Sequence, residues 1–407
     1  MTFSAKTQKL LSQRWLFVFG IVLVTVISLL EISRGRAYNY EIFLRGTSEL
    51  WQGINCYTPE FMERNVYTLL PEKHMTEFLY LPPFALPFVV FKLFPVWLGA
   101  LLWNLFNFVC FFLVMRRLPG LTDRHRSLCF LYLLFVMAQN VFSFQYNFTV
   151  LNMFLLTFLL LEKRRFWWAI LVITFSGITK VYGLFMLPML LFYPQFWRNV
   201  ARTIACTLLW LCLPVIFGGP QHLIDLYEHW LQYIISHADS RPFSTVRHLI
   251  RTYTGYDMAA YENILLAAAG IFASLPILLR FKWLGATLQR RYQVFGILIA
   301  LPVLWGGHTE LVTFLIPMAG YFLWCVARGE VATVDKVLLV LSVIILGMVP
   351  IDVLCPSVVL KTLIFDNANK TGLVANVILL LVIWTRMVWL TYGESLGSGC
   401  RQEVEAS

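Results

Sequence analysis

The feature that most constrains this chain is a succession of apolar runs, broken by short clusters of Lys and Arg. About 20 apolar residues in a helix cross the ~30 Å hydrocarbon layer of a bilayer. Runs of that kind are read at about 15–32, 97–115, 127–143, 148–161, 166–178, 181–193, 203–217, 262–280, 292–305, 311–327, 337–350 and 373–390. Only 13% of the 407 residues are charged and 59% are hydrophobic, whereas a soluble domain coats itself with about 25% charged residues. Without that coat, most of the surface must meet lipid. The expected fold class is an all-α polytopic membrane protein of about twelve transmembrane helices, forming one integral domain over residues 1–407.

Basic residues orient such a bundle, because they concentrate in cytoplasmic loops. Lys6, Lys9 and Arg14 precede the first run; Arg116, Arg117, Arg124 and Arg126 follow the second, and Lys163, Arg164 and Arg165 the fourth. Arg198 and Arg202, then Arg280, Lys282, Arg290 and Arg291, then Arg328 and Lys336 continue the series. Twelve crossings place all of them, with both termini, in the cytoplasm of a multi-pass protein in the cytoplasmic membrane. That bias also accounts for the formal charge of +10, so no nucleic-acid partner is expected: no basic stretch is interleaved with stacking aromatics. The first run, Trp15 to Leu30, has no small-residue cleavage site and reads as a retained anchor.

Phe78 to Phe94 is apolar enough to cross, yet Pro82 and Pro83 adjoin, with Pro87 nearby, and prolines donate no backbone hydrogen bond. It is read as an interfacial or re-entrant piece within an outer loop at about 33–96; further outer loops are read at 218–261 and 351–372, and the tail 393–407 as a short disordered end. Residues 39–52 carry a helical period, with Tyr40, Phe43, Leu44, Thr47, Leu50 and Trp51 on one face and Glu41, Arg45, Ser48 and Gln52 on the other. Such an amphipathic helix lies in the headgroup region, and Gly53 ends it. Cys110, Cys129, Cys206, Cys212 and Cys325 sit in apolar runs as packing residues, while Cys56 and Cys355 fall in outer loops where a pairing is open.

Ionisable groups at the edge of lipid are costly and therefore mark candidate sites. Lys180, in Gly177-Ile178-Thr179-Lys180-Val181-Tyr182-Gly183, suits an anionic headgroup such as a phosphate, or else simply snorkels at a hairpin end. His308 and Glu310 share a tight turn and either orient a substrate or form its solvated tip. Arg241, Arg247, His248 and Arg251 make an outward loop basic, as an anion-binding loop or a plain exposed charge run. Glu41 is a possible general base on an acceptor hydroxyl, or only an i,i+4 partner of Arg45. Asn39 has an ordinary role as the N-cap of its helix. His74 and Glu77 precede Tyr80 and the double proline; Gln145 and Asn147 suit sugar hydroxyls or a turn. No Walker loop, GxSxG elbow, HExxH or DxD pair stands at a credible place, so nucleotide-driven or zinc chemistry and a bound cofactor are not expected.

The order of these motifs resembles glycosyltransferase family 87, membrane enzymes of the GT-C fold that include polyprenol-phosphate-mannose-dependent mannosyltransferases. Asn39-Tyr40-Glu41-Ile42-Phe43 followed by Gly53-Ile54-Asn55-Cys56-Tyr57 is similar to the family's acidic start and Gly-x-x-x-Tyr ending. Tyr80-Leu81-Pro82-Pro83-Phe84, Trp103-Asn104-Leu105-Phe106-Asn107, Gln145-Tyr146-Asn147 and Thr179-Lys180 follow in order, over about residues 15–200. The resemblance implies inverting, metal-free transfer of a hexose from a polyprenyl-phosphate sugar to a lipid or glycan acceptor on the outer face, with one first-loop carboxylate as base. In it Lys180, with Arg247 or Arg251, holds the donor phosphate. The position of the family's aspartate falls on Asn39, and residues 33–77 contain no Asp. An amide accepts no proton at neutral pH, so Glu41 takes the role, another group does, or transfer is lost. Two other classes stay open: a transporter or lipid flippase, for which inverted repeats and midplane charges are the discriminating features, and a catalytically dead envelope scaffold.

Overall fold

The computed structural model describes residues 13–58, 78–236, 245–256, 258, 261–306, 309–351, 353–356 and 374–405. Those residues are helical, without strands. In chain order the helices are α1 (Gln13–Ser33), α2 (Tyr38–Trp51), α3 (Val96–Arg117), α4 (Asp123–Phe142), α5 (Asn147–Glu162), α6 (Phe166–Thr179), α7 (Phe196–Cys212), α8 (Gly219–Ser236), α9 (Val246–Thr254), α10 (Glu262–Leu284), α11 (Leu288–Trp305), α12 (Leu315–Arg328), α13 (Thr333–Ser342) and α14 (Ala375–Glu405). Six stretches among the described residues are long and apolar enough to cross a membrane: Gln13–Ser33, Val96–Arg117, Phe196–Phe217, Asn263–Leu284, Leu311–Arg328 and Ala375–Glu394. Four shorter apolar segments join them, at Pro82–Leu93, Asn147–Glu162, Phe166–Thr179 and Val181–Phe192.

Several sequence expectations are refined. The proline-bearing segment is a broken rod, 3-10 at Pro82–Phe84, α at Ala85–Phe88 and 3-10 at Val89–Leu93. The stretch read as a second outer loop contains α8 and α9. The tail is not a disordered end: α14 continues to Glu405. Cys56 and Cys355 are both free, Cys56 is fully buried, and Cys212 is exposed rather than packed.

The chain divides into two compact units. The first holds α1, α2, the proline-bearing segment, α3, the last turn of α4, α5, α6, most of α7 and α8. Within it α1 lies along α3, α3 along α5 and α5 along α6. Polar side chains cross these seams: Asn104 donates to Ser28 Oγ at 2.9 Å, the Thr149 hydroxyl to Asn107 Oδ1 at 2.6 Å, and Asn152 to the Asn107 carbonyl at 2.9 Å. A polar group facing lipid has no water to turn to, so partners on neighbouring helices hold such seams in register.

The second unit holds most of α4, the chain from Leu184 to Asn199, and α9 to α14. Its tightest pair is α11 with α12. A Cβ added to Gly296 would stand 2.6 Å from the Gly320 carbonyl oxygen, so two glycines let the backbones touch. Asp335, 2% exposed, is held by Arg386 through two hydrogen bonds of 2.6 and 2.9 Å and receives the Tyr321 hydroxyl at 2.9 Å. Trp384 donates to the Ile297 carbonyl at 3.1 Å and Tyr392 to that of Ala273 at 2.7 Å, tying α14 to α11 and α10.

Candidate functional site

The site is built within the first unit, from α2 and the turn between α4 and α5. Helix α2 forms where the period predicts it. Tyr40, Phe43, Thr47 and Leu50 are buried on one face, and Gly53, at φ +73°, turns the chain after its end. Its buried face packs on the proline-bearing segment. Phe43 meets Tyr80 at 5.4 Å and Phe84 at 5.3 Å between ring centroids; Tyr80 stacks on Phe84 at 4.5 Å and meets Tyr146 edge-on at 5.1 Å.

That segment cannot satisfy its own backbone, because three prolines interrupt it. Side chains make good the loss. The Trp230 indole donates to the Leu79 carbonyl at 2.9 Å, the Tyr57 hydroxyl to that of Tyr80 at 2.6 Å, and the Trp51 indole to that of Ala85 at 3.1 Å. Irregular backbone at a membrane persists only where the protein satisfies it in this way.

Two expectations about α2 are corrected. Glu41 is not on an exposed polar face: it is 6% exposed, and its Oε1 is buried without a hydrogen-bond partner. It lies about 100° around the helix from Tyr40, at the edge of the buried face, where packing from outside the helix covers it. Burial alone pushes its carboxyl up from 4.5 to about 7. Asn39 is not the N-cap. The helix starts at Tyr38 with Ala37 as cap, and Asn39 instead donates its amide to the Ser143 carbonyl at 2.7 Å. Residues two apart on a helix point roughly 200° apart, so Glu41 does not occupy the place of Asn39.

Ser143 opens the turn that carries Gln145 and Asn147. Phe144 sits at φ +52° and is completely buried, a left-handed conformation that costs a residue with a Cβ about 1–2 kcal/mol. Its neighbours hold it there. Asn104 donates to the Val141 carbonyl at 3.0 Å, Asn39 to Ser143, and the Trp103 indole to the Phe144 carbonyl at 3.3 Å. The Ser143 and Phe144 carbonyls thereby gain donors from α2 and α3, and the Val141 carbonyl gains one beside the Phe144 N–H.

Beyond the turn, the Tyr146 hydroxyl donates to Thr179 Oγ1 at 2.8 Å, and Thr179 donates in turn to the Phe175 carbonyl at 2.8 Å. Asn147 places Oδ1 against the Lys180 ammonium, and its amide lies 3.5 Å from Gln145 Oε1. Lys180 follows the last residue of α6 in extended conformation, with the Tyr182 ring 4.8 Å from its Nζ. Asn147 is neutral, so this bond aims the ammonium without cancelling its charge. An aimed cation beside an amide pair suits a phosphate oxygen.

The structure thus brings Asn39, Gln145, Asn147 and Lys180 into one connected set, with Tyr80 joined through its ring contact with Tyr146; Glu41 lies roughly 200° around α2 from Asn39, on another flank. Arg247, Arg251 and Glu310 belong to the second unit. His74, Glu77 and His308 lie outside the described residues. Roles for Tyr57, Trp103, Asn104, Tyr146 and Thr179 were missed. Their motifs are visible in the sequence, but a donor aimed at a backbone carbonyl 37 or 41 residues away has no local signature.

The sequence profile of glycosyltransferase family 87 matches residues 78–304, more than half of the chain. It begins at Phe78 and runs further than the motifs suggested, taking in Tyr80, Trp103, Gln145, Asn147 and Lys180 but not α2. No curated protein matches the chain. With a matched core that contains the lysine, the amide turn and the double proline, the chain belongs to glycosyltransferase family 87.

Proposed function

We infer that the protein is an inverting GT-C hexosyltransferase, moving a mannose-like hexose from a polyprenyl-phosphate sugar to a lipid or glycan acceptor at the outer face of the cytoplasmic membrane. In this reading the chain crosses about twelve times, with Asn147–Glu162, Phe166–Thr179 and Val181–Phe192 counted and the proline-bearing segment not, and both termini are cytoplasmic. α2 lies at the headgroup level, and the lipid-borne donor enters sideways from the bilayer.

Glu41 is the base. The acceptor oxygen attacks C1 of the sugar, the bond from C1 to the phosphate oxygen breaks, and the acceptor proton passes to the Glu41 carboxylate. Polyprenyl phosphate leaves with the bonding electrons, and Lys180 steadies the charge it gains. The reading is carried by Glu41 itself, a buried carboxyl with an unpartnered oxygen and an affinity for protons near neutrality. A general base works best when its pKa lies near the operating pH.

The test is reconstitution in vesicles with labelled polyprenyl-phosphate hexose. Release of polyprenyl phosphate with sugar transfer is expected from the wild type, and its loss in Glu41→Gln at unchanged expression. Full transfer by that variant removes Glu41 as base. A second reading is favoured by the Asn39 bond to Ser143, which commits to structure the position where the resemblance puts an acid: a catalytically inactive member serving as an envelope scaffold. Absence of transfer with every polyprenyl-phosphate hexose supplied supports that reading.

A further inference from the structure

We propose that Asn39 is a positioning residue, an amide clasp that shapes the α4–α5 turn so that Asn147 meets Lys180; for its effect on transfer, this rests on the reading of Lys180 as the donor-phosphate group. Three side-chain donors from two helices converge on this turn. Asn104 reaches the Val141 carbonyl, Asn39 that of Ser143 and Trp103 that of Phe144, at 3.0, 2.7 and 3.3 Å. The turn between them needs such a hold. Phe144 is in the left-handed region with a bulky side chain where glycine is usual, and two backbone bonds close it: Phe144 N–H to Val141 O at 3.3 Å and Gln145 N–H to Asn140 O at 3.0 Å. Asn147, whose Oδ1 takes the Lys180 ammonium, starts α5 directly afterwards.

Among the three, Asn39 is the link to α2, the helix that carries Glu41. Its identity matters chemically. A carbonyl oxygen accepts and does not donate, so the atom of residue 39 facing Ser143 must be a donor. Asparagine supplies one. An aspartate there would set an ionised oxygen against a carbonyl oxygen and leave both without a proton between them. The amide therefore does work at this position that an acid would not do.

Two measurements on the full-length purified protein test this. The first is hydrogen exchange of the peptide spanning 141–147 in the wild type, Asn39→Asp and Asn39→Ala. Losing one hydrogen bond of ordinary strength should speed opening of the turn about fivefold, in Asn39→Asp at least as much as in Asn39→Ala. Unchanged exchange in Asn39→Asp, which is nearly isosteric and puts an ionised acceptor where the donor was, would overturn the clasp. This measurement needs no substrate, so failure of the clasp and failure of the transferase reading are told apart. The second uses labelled polyprenyl-phosphate hexose. Asn39→Asp should raise the donor KM about tenfold while kcat changes less than twofold, because the grip on phosphate loosens and the base is untouched. A rise in kcat would show residue 39 acting at the reacting atoms and sink the proposal, as would a fall in kcat with KM unchanged.

Discussion

Replacing Glu41 with Gln should make the protein more stable at alkaline pH while abolishing transfer. Burial raises the carboxyl from 4.5 to about 7, so between those values the folded state keeps a proton that the unfolded state releases. Stability then falls as pH rises. The contribution is whole below about pH 4.5 and gone above about pH 7. A shift of about 2.5 units corresponds to an upper bound near 3.4 kcal/mol at 1.36 kcal/mol per unit, and solvent screening cuts it to about 2 kcal/mol. Glutamine fills the same space and never ionises, so Glu41→Gln should match the wild type near pH 4.5 and exceed it by about 2 kcal/mol at pH 8. Thermal unfolding in detergent across pH 4.5–8.5 reads this directly, at about 2–4 °C for each kcal/mol. Over the same range the wild-type transfer rate should climb as Glu41 ionises and level off above about pH 7, while the variant falls by about 10²–10⁴-fold. Parallel stability curves for the two proteins would refute the burial argument. A rate independent of pH through neutrality would refute the assignment of the base.

Two further perturbations follow from the packing. A Cβ on Gly183 would stand 2.3 Å from the Gly177 backbone nitrogen and 2.8 Å from the Ile173 carbonyl oxygen; neither can move away without opening α6, so Gly183→Ala should displace the Lys180 turn. The expected result is a destabilisation of about 1–3 kcal/mol with a weaker grip on donor, checked by thermal unfolding and donor KM. In the second unit, Arg386→Met would remove both hydrogen bonds from the guanidinium to the buried Asp335, leaving it the Tyr321 hydroxyl and the more distant charge of Arg328. Stranding a buried charge costs about 3–5 kcal/mol, and the loss should shrink at acidic pH, where Asp335 takes up a proton; equal losses at pH 5 and pH 8 would count against it.

The course of α2 was legible because its buried face repeats at helical spacing, through Tyr40, Phe43, Thr47 and Leu50. Glu41 was misplaced for a specific reason. Periodicity orders residues around one helix but does not say how wide a strip its neighbours cover, and here that cover reaches one position past Tyr40. The break in the proline-bearing segment was legible, since missing donors are a property of the residues themselves. The donors that compensate, Trp51, Tyr57 and Trp230, come from as far as 151 residues away and left no local trace. α8 was legible in the same way as α2: Leu223, Tyr227, Trp230 and Ile234 share one face while Asp225, Glu228 and Gln232 share the other, and reading the stretch as an outer loop from its charges overlooked that period.

Asn39 and Glu41 together set a sharper test than either alone. If the two positions were interchangeable, moving the acid from 41 to 39 would restore a working base. The geometry denies this. Position 39 points at the Ser143 carbonyl, 2.7 Å from the present amide, and position 41 points roughly 200° away around the helix. An acceptor hydroxyl served by Glu41 therefore approaches a different flank of α2 from one that would be served at 39. The double variant Asn39→Asp, Glu41→Gln should accordingly stay at background transfer, with the 141–147 turn opening as fast as in Asn39→Asp alone. Recovery of more than about a tenth of wild-type transfer would mean that an acid at 39 reaches the acceptor after all, and that the bond to Ser143 gives way when substrate binds.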